Sequence, residues 1–532
     1  VVEQTTHETE TTDLGDQVGR ITHQIGGLTK QATERLRSHL RRQADGFDID
    51  LRSQIPGRDV PRENAIETVL GDIKSVSPPD WVVEYEEDEA KLAGPYSIMH
   101  PYSERADRVR QYYINRTVEP GNTDAIAAAD AWLDSLVPAG SLRLTGLDTA
   151  FGMVPKDSNW GLPHLTRDPK LLPEYLERAQ DMDEYYPAVL GWRGQQGGPK
   201  PEDVRQRVVF MVDHMLTIEE KSIQVPLLAV LRPTGYFDAL INSESVDRSL
   251  TRAMQVAKNL GVPIHSLDYS RFDLSMPLWL SNRIWDWIES RFTSSANERI
   301  QRAREAFQNM GLVVPYEILE GETGAVPSGT ALTNQFDSLA NGYMQVYAAA
   351  ALGTRVVSMQ VMGDDGVVVH EDALTVDQLS EILQSDFGMT LNEEKGAVSY
   401  SQIRYLQYLY DDNYRENDVL VPVRSGVRMA ARWIAYERIR RDWSKWLDSV
   451  RVIMTTETTW GNPAHERIVA RAMMWDDVLR TYDPREVLLR AGGADDAVKA
   501  LGIYSFPFTD VDLTGFDDFS TVREIRRLQM AR

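Results

Sequence analysis

The chain has 532 residues, 42% hydrophobic and 26% charged, which is ample apolar material for a large core. With no cysteine, disulfides and thiolate metal sites are excluded, and oxygen ligands and nine histidines remain for any metal. A formal charge of -23 excludes a general nucleic-acid coat, because counterion release needs clustered Lys and Arg; a polyanion would have to be handled in a locally basic channel. Length suggests roughly three structural units. No run of eighteen apolar residues is present, so no membrane helix is expected. The polar start lacks the basic and apolar regions of a signal peptide, and without Met it reads as trimmed.

Val1 to Gly19 is rich in Thr, Glu and Asp and is expected to be loosely attached. Ile21 to Ala44 has helical apolar spacing with Arg35, Arg37, Arg41 and Arg42, a surface helix. The acid run Glu84 to Glu89 reads as solvated surface. Ala125 to Leu136 is helical and closed by Pro138 and Gly140. Leu147 to Arg167 is a loop rich in turn formers whose Lys156 and Trp160 could touch a nucleic-acid strand or merely connect. Gly191 to Lys200 is a basic loop leading to a strand at Arg207 to Val212. Its Arg193, Lys200, Arg205 and Arg207 suit a triphosphate, although a solvated charged loop would look the same. Val246 to Leu260 is a helix with Gly261 at its cap.

Val262 to Leu267 reads as a strand that delivers Asp268 at its end, with Asp273 a turn later; either acid alone could be a helix cap. Pro327-Ser328-Gly329 is a turn before a long helix reaching Ala351. Along it Thr333, Asp337 and Asn341 recur at i, i+4 and i+8, a polar stripe that reads as the wall of a hydrated site. Gln360 to His370 then reads as a β-hairpin bearing Asp364 and Asp365, with Gly363 and Gly366 giving turn freedom. A divalent cation or a plain Asp365-Gly366 turn accounts for it equally well. Met429, Trp433, Tyr436, Ile439, Trp443 and Trp446 form an aromatic helical stripe, read as core. The C-terminal Arg523, Arg526 and Arg527 mark a basic tail or a solvated helix.

In that order, Asp268 to Asp273, Ser328-Gly329 with Thr333, and Gly363-Asp364-Asp365 resemble motifs A, B and C of viral RNA-dependent RNA polymerases. Arg193 to Met211 resembles motif F, Ser158 to Pro163 motif G, Asn392 to Lys395 motif D, and Tyr405-Leu406-Gln407 motif E. The set spans about Phe151 to Tyr408, and motif F is most similar to that of picobirnaviruses, then partitiviruses.

The resemblance implies an α+β right-hand polymerase with an antiparallel palm sheet and closed fingers and thumb. The expected division is an N-terminal extension over 1–60, fingers over 61–225, palm over 226–280, a fingers insertion over 281–325, palm again over 326–425, and thumb and tail over 426–532. It implies template-directed ribonucleotide addition for a viral, double-stranded RNA genome, with two Mg²⁺ ions, or Mn²⁺ instead, on Asp268, Asp364 and Asp365. Asp273, Ser328 and Thr333 would read the ribose. Asp337 stands where many relatives have Asn. Arg193, Lys200, Arg205 and Arg207 would hold the triphosphate, Lys395 would protonate pyrophosphate, and Lys156, Ser158, Asn159 and Gly329 would touch RNA. Implied partners are template and product RNA, ribonucleoside triphosphates and capsid protein, with no membrane, in the virion interior and host cytoplasm. The rival readings are a reverse transcriptase, disfavoured because Asp273 can accept from a 2'-hydroxyl, and a non-catalytic packaging protein.

Overall fold

The computed structural model describes residues 14–46, 64–94, 96, 98–115, 117–155, 158–192, 198–204, 206–392, 397–435, 444–493 and 513–531. At its centre lies a four-stranded antiparallel sheet in the order Ala397–Ser399, Ile264–Leu267, Asp365–His370, Val356–Met362. Apart from half-buried Asp365, the two middle strands are buried runs, as expected of a sheet covered on both faces. One cover includes the helix Thr333–Ala351, whose Phe336, Leu339, Ala340, Tyr343 and Tyr347 enter the largest core cluster. The other includes the helix Ser243–Leu260, which adds Val246, Leu250, Ala253, Met254 and Ala257, the apolar stripe of an amphipathic helix, to a second cluster. This is the α+β right-hand architecture.

A second four-stranded sheet joins Val209–Met211, Ala188–Gly191, Leu312–Val313 and Ile318–Leu319, so the segment expected as an insertion completes the sheet begun by the motif F strand. The N-terminal helix expected over Ile21 to Ala44 is two helices, Leu14–Ile25 and Lys30–Asp45, separated at Gly26-Gly27. Their Val18, Ile21, Leu36 and Leu40 pack against Leu162, Leu165, Val189 and Val313 of this sheet and its loop.

The boundary expected at residue 61 is corrected. The helices Ala65–Ser75 and Asp80–Leu92 lie with the C-terminal unit: Ile66, Val69 and Ile73 share a core with Val427, Trp433, Ile468 and Ile525. The solvated reading of Glu84 to Glu89 fails with it, since Glu86 and Glu89 are buried. Glu86 accepts from the Ser425 hydroxyl and from the Gly426 and Val427 N–H groups at the start of the helix Gly426–Ile434. The N-terminal segment therefore reaches from the fingers-type sheet to the thumb-type helices, the basis of a closed hand.

Trp433 is core as expected, while Tyr436, Ile439 and Trp443 lie outside the described residues. The C-terminal basic helix Ser520–Met530 is no cationic tail. Arg526 pairs with Asp483 and Asp517, and Arg527 pairs with Glu524 and Glu466, which neutralises the charge locally.

Candidate active site

The register of the hairpin places its turn one residue before the Asp365-Gly366 dipeptide. Met362 pairs with Asp365, so the loop is Gly363-Asp364 and Asp365 already belongs to a strand. Gly363 takes the first loop position with φ +61, the position that two-residue hairpin turns reserve for such a residue. Gly366 lies inside the strand opposite Val361, so the Asp365-Gly366 turn does not exist. Its neighbours explain why the weaker turn dipeptide wins. Asn341 Nδ2 donates to the carbonyls of Gly363 (3.0 Å), Asp364 (3.2 Å) and Asp365 (3.3 Å), and the Ser338 hydroxyl accepts from Gly363 N at 2.8 Å.

The stripe read as a hydrated wall is thus corrected in part. Asn341 is fully buried and clamps the hairpin backbone, and Asp337 is buried too. Thr333 is half-buried, with its hydroxyl donating to the Pro327 and Thr330 carbonyls.

Leu267 pairs with Gly366, so the following residue, Asp268, emerges beside Asp365 and the loop that carries Asp364. Asp268 is fixed by Asn392, whose N donates to the Asp268 carbonyl (2.8 Å) and whose Nδ2 donates to its Oδ2 (3.0 Å). Those contacts orient Asp268 from the segment read as similar to motif D, a link its sequence did not announce. Asp268, Asp364 and Asp365 are all half-buried.

Asp273 and Asp337 are hydrogen-bonded to each other, and the Asp273 carbonyl accepts from Val326 N (2.8 Å), joining the first acid stretch to the turn before Thr333. Burial, then the charge of Asp364, pushes the Asp273 carboxyl up, while Arg207 pulls it down; burial, Asp273 and Asp364 push Asp337 up further. Two such carboxyls cannot both ionise, so the pair keeps a proton at neutral pH. A raised folded pKa stabilises at low pH and loses that contribution as pH climbs above the ordinary carboxylate range. In metal-free protein, Asp337→Asn should therefore melt higher than wild type at pH 9, and the two should converge at pH 5. Parallel melting curves at both pH values would reverse the assignment.

Ser328 meets the motif F strand directly, its carbonyl accepting from Phe210 N at 2.9 Å. Gly329 has φ +135, and a Cβ there would collide with the Phe210 carbonyl. Arg207, on the same segment, is solvent-facing and acts on Asp273. Lys200 is exposed and begins a short turn through Asp203. Asn159 lines a cleft beside the helix Lys30–Asp45, with Ser158 preceding it. Trp160 is fully buried against Tyr175 and His214, which removes it as a base-stacking platform. Lys156, Arg193, Arg205 and Lys395 lie outside the described residues.

Glu220 was not legible as a site residue. It lies on the helix His214–Leu231, is completely buried, and accepts from Ala331 N (2.6 Å) and Leu332 N (3.3 Å), so it holds the turn that starts the Thr333–Ala351 helix. Burial pushes its carboxyl up to about 8 despite those bonds, so it is mostly neutral at pH 7. Glu220→Ala should raise the nucleotide KM about tenfold, the loss of one to two net hydrogen bonds. Glu220→Gln, which keeps an acceptor, should restore it; equal KM for the Ala and Gln variants would count against this role.

Residues 243–430 match the family model of viral RNA-dependent RNA polymerase. The chain carries a viral RNA-dependent RNA polymerase domain. The potential RNA-dependent RNA polymerase of human picobirnavirus is 28% identical over 418 residues, covering 73% of this chain and 75% of that relative. The crystal structure of the RNA-dependent RNA polymerase of a human picobirnavirus superposes with a TM-score of 0.81 at 24% identity, covering 93% of this chain and 96% of that one. Its insertion-loop deletion mutant gives 0.78 at the same identity. The polymerase domain contains the central sheet, both acid stretches and the hairpin, so the expected motifs A, B and C fall within one matched segment. These matches support RNA-directed RNA polymerase activity and do not favour reverse transcription.

Proposed function

We propose that this polymerase replicates and transcribes a double-stranded viral RNA genome by two-metal nucleotidyl transfer. The observation that carries the mechanism is the register of Leu267 on Gly366, which sets Asp268 beside the Gly363-Asp364 loop and Asp365. Oxygen-only ligands suit Mg²⁺, with Mn²⁺ as a substitute. Among the described residues no three acid or imidazole side chains form a ready cage. When bound, the ions supply charge neutralisation at the attacking and leaving oxygens.

In this reading Asp268 and Asp364 are the principal ligands, with Asp365 supporting. Asn392 holds Asp268 in orientation, and Asn341 and Ser338 hold the loop. Arg207 meets the triphosphate, joined by Lys200, Arg193 and Arg205. The Asp273–Asp337 pair, sharing a proton, can both donate to and accept from a ribose hydroxyl, with Ser328 and Thr333 beside it. Lys395 is assigned the general acid, and Lys156, Ser158, Asn159 and Gly329 contacts to RNA. The enzyme would work in the virus particle and host cytoplasm, with capsid protein as a partner. The test is incubation of purified protein with a short unprimed RNA, four ribonucleotides and Mg²⁺. Full-length complementary product supports the reading, and absence of any product with Mg²⁺ and with Mn²⁺ overturns it.

A further inference from the structure

The helix Lys30–Asp45 lies outside the matched polymerase domain and carries five cationic side chains against two acidic ones, in a chain of net charge -23. Gln31, Arg35, Ser38 and Arg42 recur at i, i+4, i+7 and i+11, which places them on one face. With Glu34 and His39 they line a cleft of about 390 Å³, closed on its other side by Asn159 and Leu165. The helix is firmly seated. Arg35 donates to the His164 carbonyl (3.1 Å), and His39 Nε2 lies 2.7 Å from the Leu190 carbonyl on the strand that feeds the basic Gly191 to Lys200 loop. Burial lowers the His39 pKa to about 4, so the cleft's positive charge comes from Arg35 and Arg42.

We infer that this cleft binds single-stranded RNA, Arg35 and Arg42 meeting successive phosphates and Asn159 with Leu165 meeting a base; the inference rests on the polymerase reading. The two guanidinium groups are seven residues apart, about 10 Å along the helix. That separation suits points along an extended strand better than one compact triphosphate. Arginine is the residue of choice for phosphate. Asn159 turns its Oδ1 onto Gly161 N (3.0 Å), which leaves its amide nitrogen as the end available to a base or sugar. Leu165 supplies an apolar surface, and unstacked bases of a single strand offer the matching face. Glu34, the one acid in the lining, restricts the phosphates to the Arg35–Arg42 side.

The test is fluorescence anisotropy of the full chain with labelled oligouridylate and, separately, a blunt RNA duplex over a range of salt. The variants are Arg35→Ala with Arg42→Ala, and Arg42→Glu alone. Arg42 is exposed, so its variant stays informative if loss of the Arg35–His164 contact harms folding. Oligouridylate binding should weaken about tenfold in the double variant. Its log–log salt slope should become shallower by about 1.4, two phosphate contacts at roughly 0.7 each. Duplex binding should hold. Single-strand affinity within twofold of wild type overturns the inference, as does equal weakening for duplex, which would indicate general surface attraction. Nucleotide addition by the wild type is read in parallel: its absence counts against the polymerase reading, and unchanged single-strand binding counts against the cleft.

Discussion

Asp364→Asn is expected to lower nucleotide incorporation by at least about a thousandfold, equivalent to roughly 4 kcal/mol of transition-state stabilisation. The hairpin makes this a clean experiment. Its shape is held by Asn341 and Ser338 through the backbone of Gly363, Asp364 and Asp365, so an isosteric change of the carboxylate leaves those bonds in place. The thermal midpoint should therefore stay near wild type while chemistry is lost. Asp268→Asn should behave alike in activity, and it also tests Asn392, whose amide donates to the Asp268 carboxylate. Asp365→Asn should cost less, because Asp365 begins the strand and Asp364 is carried at the loop. Single-turnover extension of an annealed primer measures all three. Wild-type incorporation by Asp364→Asn would remove the metal assignment.

What the sequence disclosed and what it withheld divide along one physical line. Local signals were readable. The helical spacing over Val246 to Leu260 with Gly261 at its cap predicted a helix, observed as Ser243–Leu260, and the apolar run before Asp268 predicted its strand. The three acid-bearing motifs were legible as a set, because their order resembles a known family. Contacts made across long sequence separations were not. Asp365-Gly366 is the stronger turn dipeptide, but Asn341, more than twenty residues away, fixes the loop one residue earlier. Glu86 sits in an acid run that reads as solvent-facing, yet its partners are Ser425, Gly426, Val427 and Asn462. Asp337 looked like a wall residue because the i, i+4 rule gives a face, not what covers it; Asp273 covers it. Arg526 and Arg527 looked cationic because the acids that neutralise them include Asp483 and Glu466, which lie far away in sequence.

Glu86→Ala should destabilise the closed hand by on the order of 4 kcal/mol, lowering the thermal midpoint by roughly 5–10 °C. The carboxylate is completely buried and takes four donors: Gly426 N and Asn462 Nδ2 at 2.8 Å each, the Ser425 hydroxyl at 2.6 Å and Val427 N at 3.1 Å. Truncation leaves those donors dry and unpaired, the costly side of the hydrogen-bond asymmetry. The same helix, Asp80–Leu92, donates Tyr85 OH to the Gln407 carbonyl (3.1 Å) and pairs Glu89 with Arg428 (2.5 Å). Loosening Glu86 should therefore loosen the motif E turn together with the thumb-type helices. Burial pushes the Glu86 carboxyl up, so wild type should lose part of this advantage as pH rises above the ordinary carboxylate range, and Glu86→Gln, permanently neutral, should not. Gln keeps one acceptor but turns an amide NH₂ toward the other donors, so about half the loss should return. Differential scanning fluorimetry of the three proteins at pH 6 and pH 9 decides it. A midpoint for Glu86→Ala within a degree of wild type at both pH values would mean that the buried carboxylate does not join the N-terminal segment to the thumb.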